Sequence, residues 1–198
     1  MSHRPRNALV GLVAAALLLT GCSTDPLAEQ YREGSSKGFI AGDGSWTEIP
    51  VAERGDPVTW GGADENGTPL SSDDFAGKVV VVNFWYASCA PCRAEAPALQ
   101  ELNKEFSGTD AHWVGVNVRD QAANATAFNE SFGITYPSVM DVDTGSMQLA
   151  FSGSIPPNAV PTTLVLDRSG RVAARILGAV SEPSILETLV RDTIAEEP

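Results

Sequence analysis

A chain of 198 residues, 43% of them hydrophobic and 19% charged, has room for one globular core with tails rather than two ordinary domains. Its 25 Asp and Glu outnumber its 13 Lys and Arg, giving a formal charge of −12. That balance argues against binding to nucleic-acid phosphates, or to an anionic membrane surface through charge alone.

The chain opens with a basic stretch holding Arg4 and Arg6, followed by an apolar run over residues 8–19. A spanning helix needs about 20 apolar residues, so this run reads as the core of a secretory signal peptide. It ends in Leu19-Thr20-Gly21-Cys22, which resembles the lipobox of bacterial lipoproteins. The resemblance implies a signal peptide over 1–21, cleavage before Cys22 and a diacylglyceryl group on the Cys22 thiol. Two acyl chains anchor stably where one is marginal. Residues 22–56, rich in Ser, Gly, Asp and Glu, read as a lipidated flexible tether. Within it, the run 46–51 has no evident place. Outside the cytoplasm disulfides persist, and with Cys22 lipidated only Cys89 and Cys92 remain to pair.

Residues 57–198 are expected to form the domain. Asn66-Gly67 signals a turn, with hairpin strands at 58–61 and 68–70. A helical turn at 72–77 ends in glycine. The β-branched run 79–84 predicts a central strand buried on both faces. Apolar residues at helical spacing (Ala96, Leu99, Leu102, Phe106) predict a helix over 92–106, stopped by Gly108. A second buried strand is expected at 112–118, helices at 122–132 and 146–151, strands at 162–166 and 171–177, and a closing helix at 182–195. Strands alternating with helices imply an α/β fold with a central mixed sheet flanked by helices.

The pair Cys89-Ala90-Pro91-Cys92 invites four readings. Structural zinc needs about four Cys or His ligands, and after signal removal only His112 is left to join one C-x-x-C. Covalent haem needs C-x-x-C-H, and Arg93 follows Cys92. Neither a metal nor a cofactor is expected. An inert staple across four residues gains little, because short loops remove little unfolded-state entropy. A redox-active dithiol fits better: Cys89 falls where a helix begins, and the helix N-terminus stabilises a thiolate. Arg93 adds positive charge nearby.

The strand 79–84 running through Trp85 into Cys89-Ala90-Pro91-Cys92-Arg93 resembles the thioredoxin superfamily, above all its exported TlpA/ResA/DsbE-like branch. The likeness runs from about residue 57 to the C-terminus. It implies a thioredoxin-like three-layer α/β fold with an N-terminal β-hairpin. Cys89 would attack as thiolate and Cys92, the more buried, would resolve the mixed disulfide. Trp85, Ala90 and Pro91 would pack by the pair. Glu95, three residues beyond Cys92 on the same helix face, would tune proton transfer. Pro161 would follow a cis bond and, with Val160, face the cysteines and shape the substrate groove. Asn83 stands where cytoplasmic thioredoxins carry a buried Asp. Ser88 and Ala90 depart from the common Trp and Gly, which leaves the potential open but not the chemistry.

The branch further implies an enzyme on the outer face of the cell membrane that acts on protein disulfides. A reductase is favoured, with apocytochrome c (C-x-x-C-H) as a client and a membrane redox partner of the CcdA/DsbD type. A dithiol oxidase, a binding lipoprotein with a static disulfide, and a thiol peroxidase are the alternatives.

Overall fold

The computed structural model describes residues 44–155 and 159–196. Cys22, the signal run and most of the expected tether lie outside these residues.

Six strands form one sheet: β1 (Ser45–Glu48), β4 (Val79–Trp85), β5 (Ala111–Asn117), β6 (Ser138–Met140), β7 (Thr162–Leu166) and β8 (Val172–Leu177). Their order is β1-β8-β7-β4-β5-β6. β4, β5 and β6 run parallel, whereas β7 is antiparallel to β4 and β8, and β8 to β1. β2 (Gly61–Ala63) and β3 (Pro69–Ser71) make a separate antiparallel hairpin. Among the described residues four helices flank the sheet: α1 (Ala90–Glu105), α2 (Ala122–Phe132), α3 (Ser146–Ala150) and α4 (Pro183–Ala195).

The layers follow from alternation along β4, all of whose residues are buried. Val79 and Val81 pack with Leu99, Leu102, Leu186 and Val190 of α1 and α4. Val80, Val82 and Phe84 point the other way, into Trp60, Met147 and Phe151. Side chains on a strand alternate faces, so Asn83 and Trp85 share the α1 side with Val79 and Val81. A third cluster closes the C-terminal end of β4, with Trp85, Tyr86, Cys89, Cys92, Ala125, Phe128 and Val160. This mixed sheet flanked by helices is the thioredoxin-like fold the resemblance implies.

The expected helix at 122–132 and strand at 162–166 are observed with those bounds. The first hairpin strand starts three residues later than expected and the second one residue later, and Asp64 rather than Asn66 organises the turn. Its carboxylate accepts from the Asn66 and Thr68 amides, both at 2.8 Å. The hairpin packs tightly on β6: a Cβ on Gly62 would lie 2.4 Å from Val139 Cγ1.

The expected tether limit at residue 56 is corrected. Ser45–Glu48 forms the edge strand β1 on β8, and Val51–Glu53 is a 3₁₀ turn. Arg54, almost wholly buried, donates to Asp167 Oδ2 at 3.0 Å and Glu196 Oε2 at 2.6 Å. The physical reason is an ion-paired guanidinium and an edge strand exposed along its length, neither of which leaves an apolar period in the sequence. β6 is the other unforeseen strand, only three residues long.

Candidate active site

The chain leaves β4 at Trp85, turns through Tyr86–Ser88 and enters α1. Asp120 holds that turn: its Oδ2 accepts from the Ala87 amide at 2.6 Å and from Asn117 Nδ2 at 2.9 Å. Cys89 is the N-cap of α1. Pro91 sits in the first helical turn, where its missing N–H is no loss. Ala90 is exposed and Pro91 half-buried.

Cys89 and Cys92 are joined in a disulfide, S–S 2.11 Å and Cα–Cα 5.2 Å. The Cys92 amide donates to Cys89 Sγ at 3.2 Å. The same N–H, at the positive end of a helix dipole, would favour negative charge on Cys89 once the bond is reduced. Arg93 contributes less directly than its sequence position implies. Its guanidinium donates to Ala87 O at 3.2 Å and lies over the Phe132 ring at 5.0 Å.

Cys92 is not the more buried of the two in this oxidised form. Cys89 is 0% and Cys92 2% exposed, because Trp85, Tyr86, Phe128 and Val160 pack around both. What distinguishes the sulfurs is the N-cap position of Cys89. Trp85 stacks on Phe128 at 4.2 Å and donates to Ser138 Oγ at 3.1 Å. A Cβ on Gly115 would stand 2.1 Å from that oxygen, so β5 needs glycine there. The Val160–Pro161 bond is cis, and Val160 joins the cysteines in the same buried cluster.

Glu95 lies one helical turn beyond Cys92 and is 2% exposed. Asn83 Nδ2 donates to its Oε1 at 2.9 Å and the Val180 amide to its Oε2 at 2.7 Å. Asn83 also donates to Thr163 Oγ1 at 3.1 Å. The carboxyl therefore ties α1 to β4, β7 and the segment after β8. Burial pushes its pKa up to about 7 against the pull of those two donors. Tyr136, buried near it, is held well above the usual phenol range by desolvation and then by the Glu95 charge. The Val180 amide, Asp120 and Tyr136 were not foreseen. Only tertiary contact reveals them, since no local motif marks these positions.

The raised Glu95 pKa gives a signed expectation. The folded protein holds this proton more tightly than the unfolded chain, whose pKa is near 4.5. Stability from this group is complete below pH 4.5 and is lost as pH rises through about 7. The full loss is on the order of 3 kcal/mol. Urea unfolding of the oxidised protein at several values between pH 5 and pH 8 should show this decline, and Glu95→Gln should flatten it. A wild-type profile that is level, or that rises with pH, would contradict the raised value.

Among the described residues no cluster of His, Cys, Asp and Glu is arranged to hold a metal.

The Redoxin family profile matches residues 51–190. Thiol-disulfide oxidoreductase ResA of Bacillus subtilis (strain 168) is 30% identical over 135 residues, covering 68% of this chain and 73% of that protein. ResA of Geobacillus thermodenitrificans (strain NG80-2) is 32% identical over 127 residues, 64% of this chain and 70% of that protein. Among solved structures, a DsbF homologue from Corynebacterium diphtheriae superposes with a TM-score of 0.67 at 33% identity, over 76% of this chain and 94% of that one. A secreted thiol-disulfide isomerase from Corynebacterium glutamicum gives 0.69 at 32% identity, over 80% and 97%.

Proposed function

We infer the function from the premise that the chain belongs to the Redoxin family, within the thioredoxin superfamily, and is a thiol-disulfide oxidoreductase of the ResA/DsbE type. On that premise the protein is a membrane-tethered, extracytoplasmic reductase of protein disulfides. Its client is the C-x-x-C-H pair of apocytochrome c, and a membrane protein of the CcdA/DsbD type returns electrons to it. The observation that carries the chemistry is the helix-capped disulfide, with the Cys92 amide on Cys89 Sγ.

In the reduced protein, Cys89 attacks a client disulfide as thiolate. One client sulfur leaves as thiolate and takes a proton. Cys92 then loses its proton and attacks Cys89 Sγ, releasing the second client sulfur. Two electrons pass to the client and the Cys89–Cys92 bond forms. Glu95 manages protons one turn away, while Trp85, Ala90 and Pro91 set the packing at the sulfurs. Val160 and Pro161 offer the client an extended backbone edge. Cys22 supports the tether through its lipobox-like setting, and residues 1–21 support export through their signal-like pattern. The secreted character of one structural relative agrees with that location.

The reductive direction is favoured because no His stands between the cysteines to stabilise the thiolate, as it does in strong oxidants. A thiol peroxidase is disfavoured: Val82 and Tyr86 occupy the positions where its Pro-x-x-x-Thr/Ser-x-x-Cys frame needs Pro and Thr or Ser. The equilibrium potential of the purified protein decides the direction. A value near or below about −250 mV is expected for a reductase, and one near −120 mV would make it an oxidant. With an oxidised C-x-x-C-H peptide, reduction should be faster than with a scrambled disulfide peptide. Equal rates would remove apocytochrome c as a preferred client.

A further inference from the structure

A small cavity of about 10 Å³ lies against Cys92, room for about one water molecule. Its polar walls are Asn83, Asn129, Tyr136 and Ser138. The orientation of the Asn129 amide is fixed by chemistry. Nδ2 donates to Glu65 Oε1 at 3.0 Å, and a carboxylate oxygen accepts only from the N–H end. Its Oδ1 is buried without a hydrogen-bond partner among the described residues. An unsatisfied buried acceptor is costly, and a bound water removes that cost.

Asn129 and Tyr136 are walls of a second space as well. A surface groove of about 460 Å³ opens between the β2–β3 hairpin and α2, lined also by Asp64, Glu65 and Glu130. Asn129, Ile134 and Tyr136 thus separate the cavity at Cys92 from an open, acidic groove. Glu95 reaches the cavity wall through Asn83. On the α1 side, Arg93 lies over Phe128 and Phe132.

We propose that the cavity holds one water molecule, fixed by Asn129 Oδ1, which carries the Cys92 proton between the thiol and this groove. Asn129 is then a positioning residue for resolution of the mixed disulfide. In that step Cys92 S–H gives its proton to the water, which passes a proton on to solvent water in the groove. The Cys92 thiolate attacks Cys89 Sγ. The Cys89–client bond breaks, the Cys89–Cys92 bond forms, and the electron pair leaves on the client sulfur, which takes a proton from solvent. The route stays open while a client covers Cys89.

The proposal rests on Cys92 being the resolving sulfur. The test mixes the reduced full-length protein with 5,5′-dithiobis(2-nitrobenzoate) in stopped flow. Attack by Cys89 releases one coloured thiolate, and resolution by Cys92 releases a second. Asn129→Leu should slow the second phase about tenfold at pH 7, with a larger solvent isotope effect, and leave the first within about twofold. Thr126→Ala, one turn before Asn129 on α2 and lining the groove but not the cavity, should leave both phases within about twofold of wild type. Tyr136→Phe, which adds no bulk, should slow the second phase in the same sense and serves if Asn129→Leu does not fold. An unchanged second phase, equal slowing of both phases, or the same slowing in Thr126→Ala would overturn the proposal. Wild-type release of two thiolates checks the exchange reading separately. Failure there removes that reading, whereas normal wild-type release with unaltered variants removes only the cavity water.

Discussion

Cys89→Ser should abolish thiol–disulfide exchange, and Cys92→Ser should turn the protein into a trap for mixed disulfides. The asymmetry comes from the helix cap. The amide that donates to Cys89 Sγ in the oxidised form remains there to hold a Cys89 thiolate. A serine hydroxyl in its place does not ionise near neutral pH. The rate of reduction of a test disulfide should therefore fall on the order of a thousandfold or more, to background. Cys92→Ser keeps the attacking thiolate but lacks the second sulfur, so adducts with clients should accumulate and appear on non-reducing gels. Since both sulfurs are buried as a disulfide, exposure cannot assign the roles, and this pair of variants does. Adducts that accumulate with Cys89→Ser instead would give the attack to Cys92.

Arg54→Ala should be the most damaging change far from the cysteines. Its guanidinium is nearly inaccessible and faces two carboxylates, Asp167 with 6% side-chain exposure and Glu196 with 28%. Breaking one partner of a buried pair leaves charge uncompensated, at a cost of about 3 kcal/mol or more. Asp167 keeps Arg171 at 2.9 Å, which places the loss at the lower end of the range. For a domain of this size the melting temperature should drop by about 6–12 °C. Lys104→Ala, which removes an exposed pair with Glu101, should cost no more than about 1 kcal/mol. An Arg54 variant as stable as that control would mean that the residues before 57 do not belong to the folded unit. Exchange by the folded fraction of Arg54→Ala should match wild type, since the network touches neither cysteine.

The parts of this molecule readable in advance were those in which a local pattern and a tertiary role coincide. Val79–Trp85 is buried on both faces, so it shows as an apolar run interrupted by Asn83 alone. The Cys89–Cys92 pair shows because strand, turn and helix start must follow one another there. Gly133 marks the end of α2 because the chain turns through a left-handed conformation at that residue, φ 65°. The rest depends on neighbours brought from afar. β1 is polar and exposed, and only its ladder with β8 makes it a strand. The Glu95 environment needs Val180, 85 positions away, so spacing could propose Glu95 but not its raised pKa. The burial of Cys89 beyond expectation likewise comes from Phe128 and Val160, which lie well apart from it in the chain.

The pairing of β1 with β8 bears on how the molecule is made. Ser45 sits opposite Leu177, and Arg54 reaches Glu196. A ribosome delivers the amino end first, so β1 waits unpartnered until residues 172–177 have emerged. Contacts so remote in sequence close late, because the intervening loop must lose its freedom before they reward it. The sheet thus has a clasp that fastens only once β8 has been made. A product cut short before β8 keeps a bare strand open to proteolysis and leaves Arg54 without Glu196.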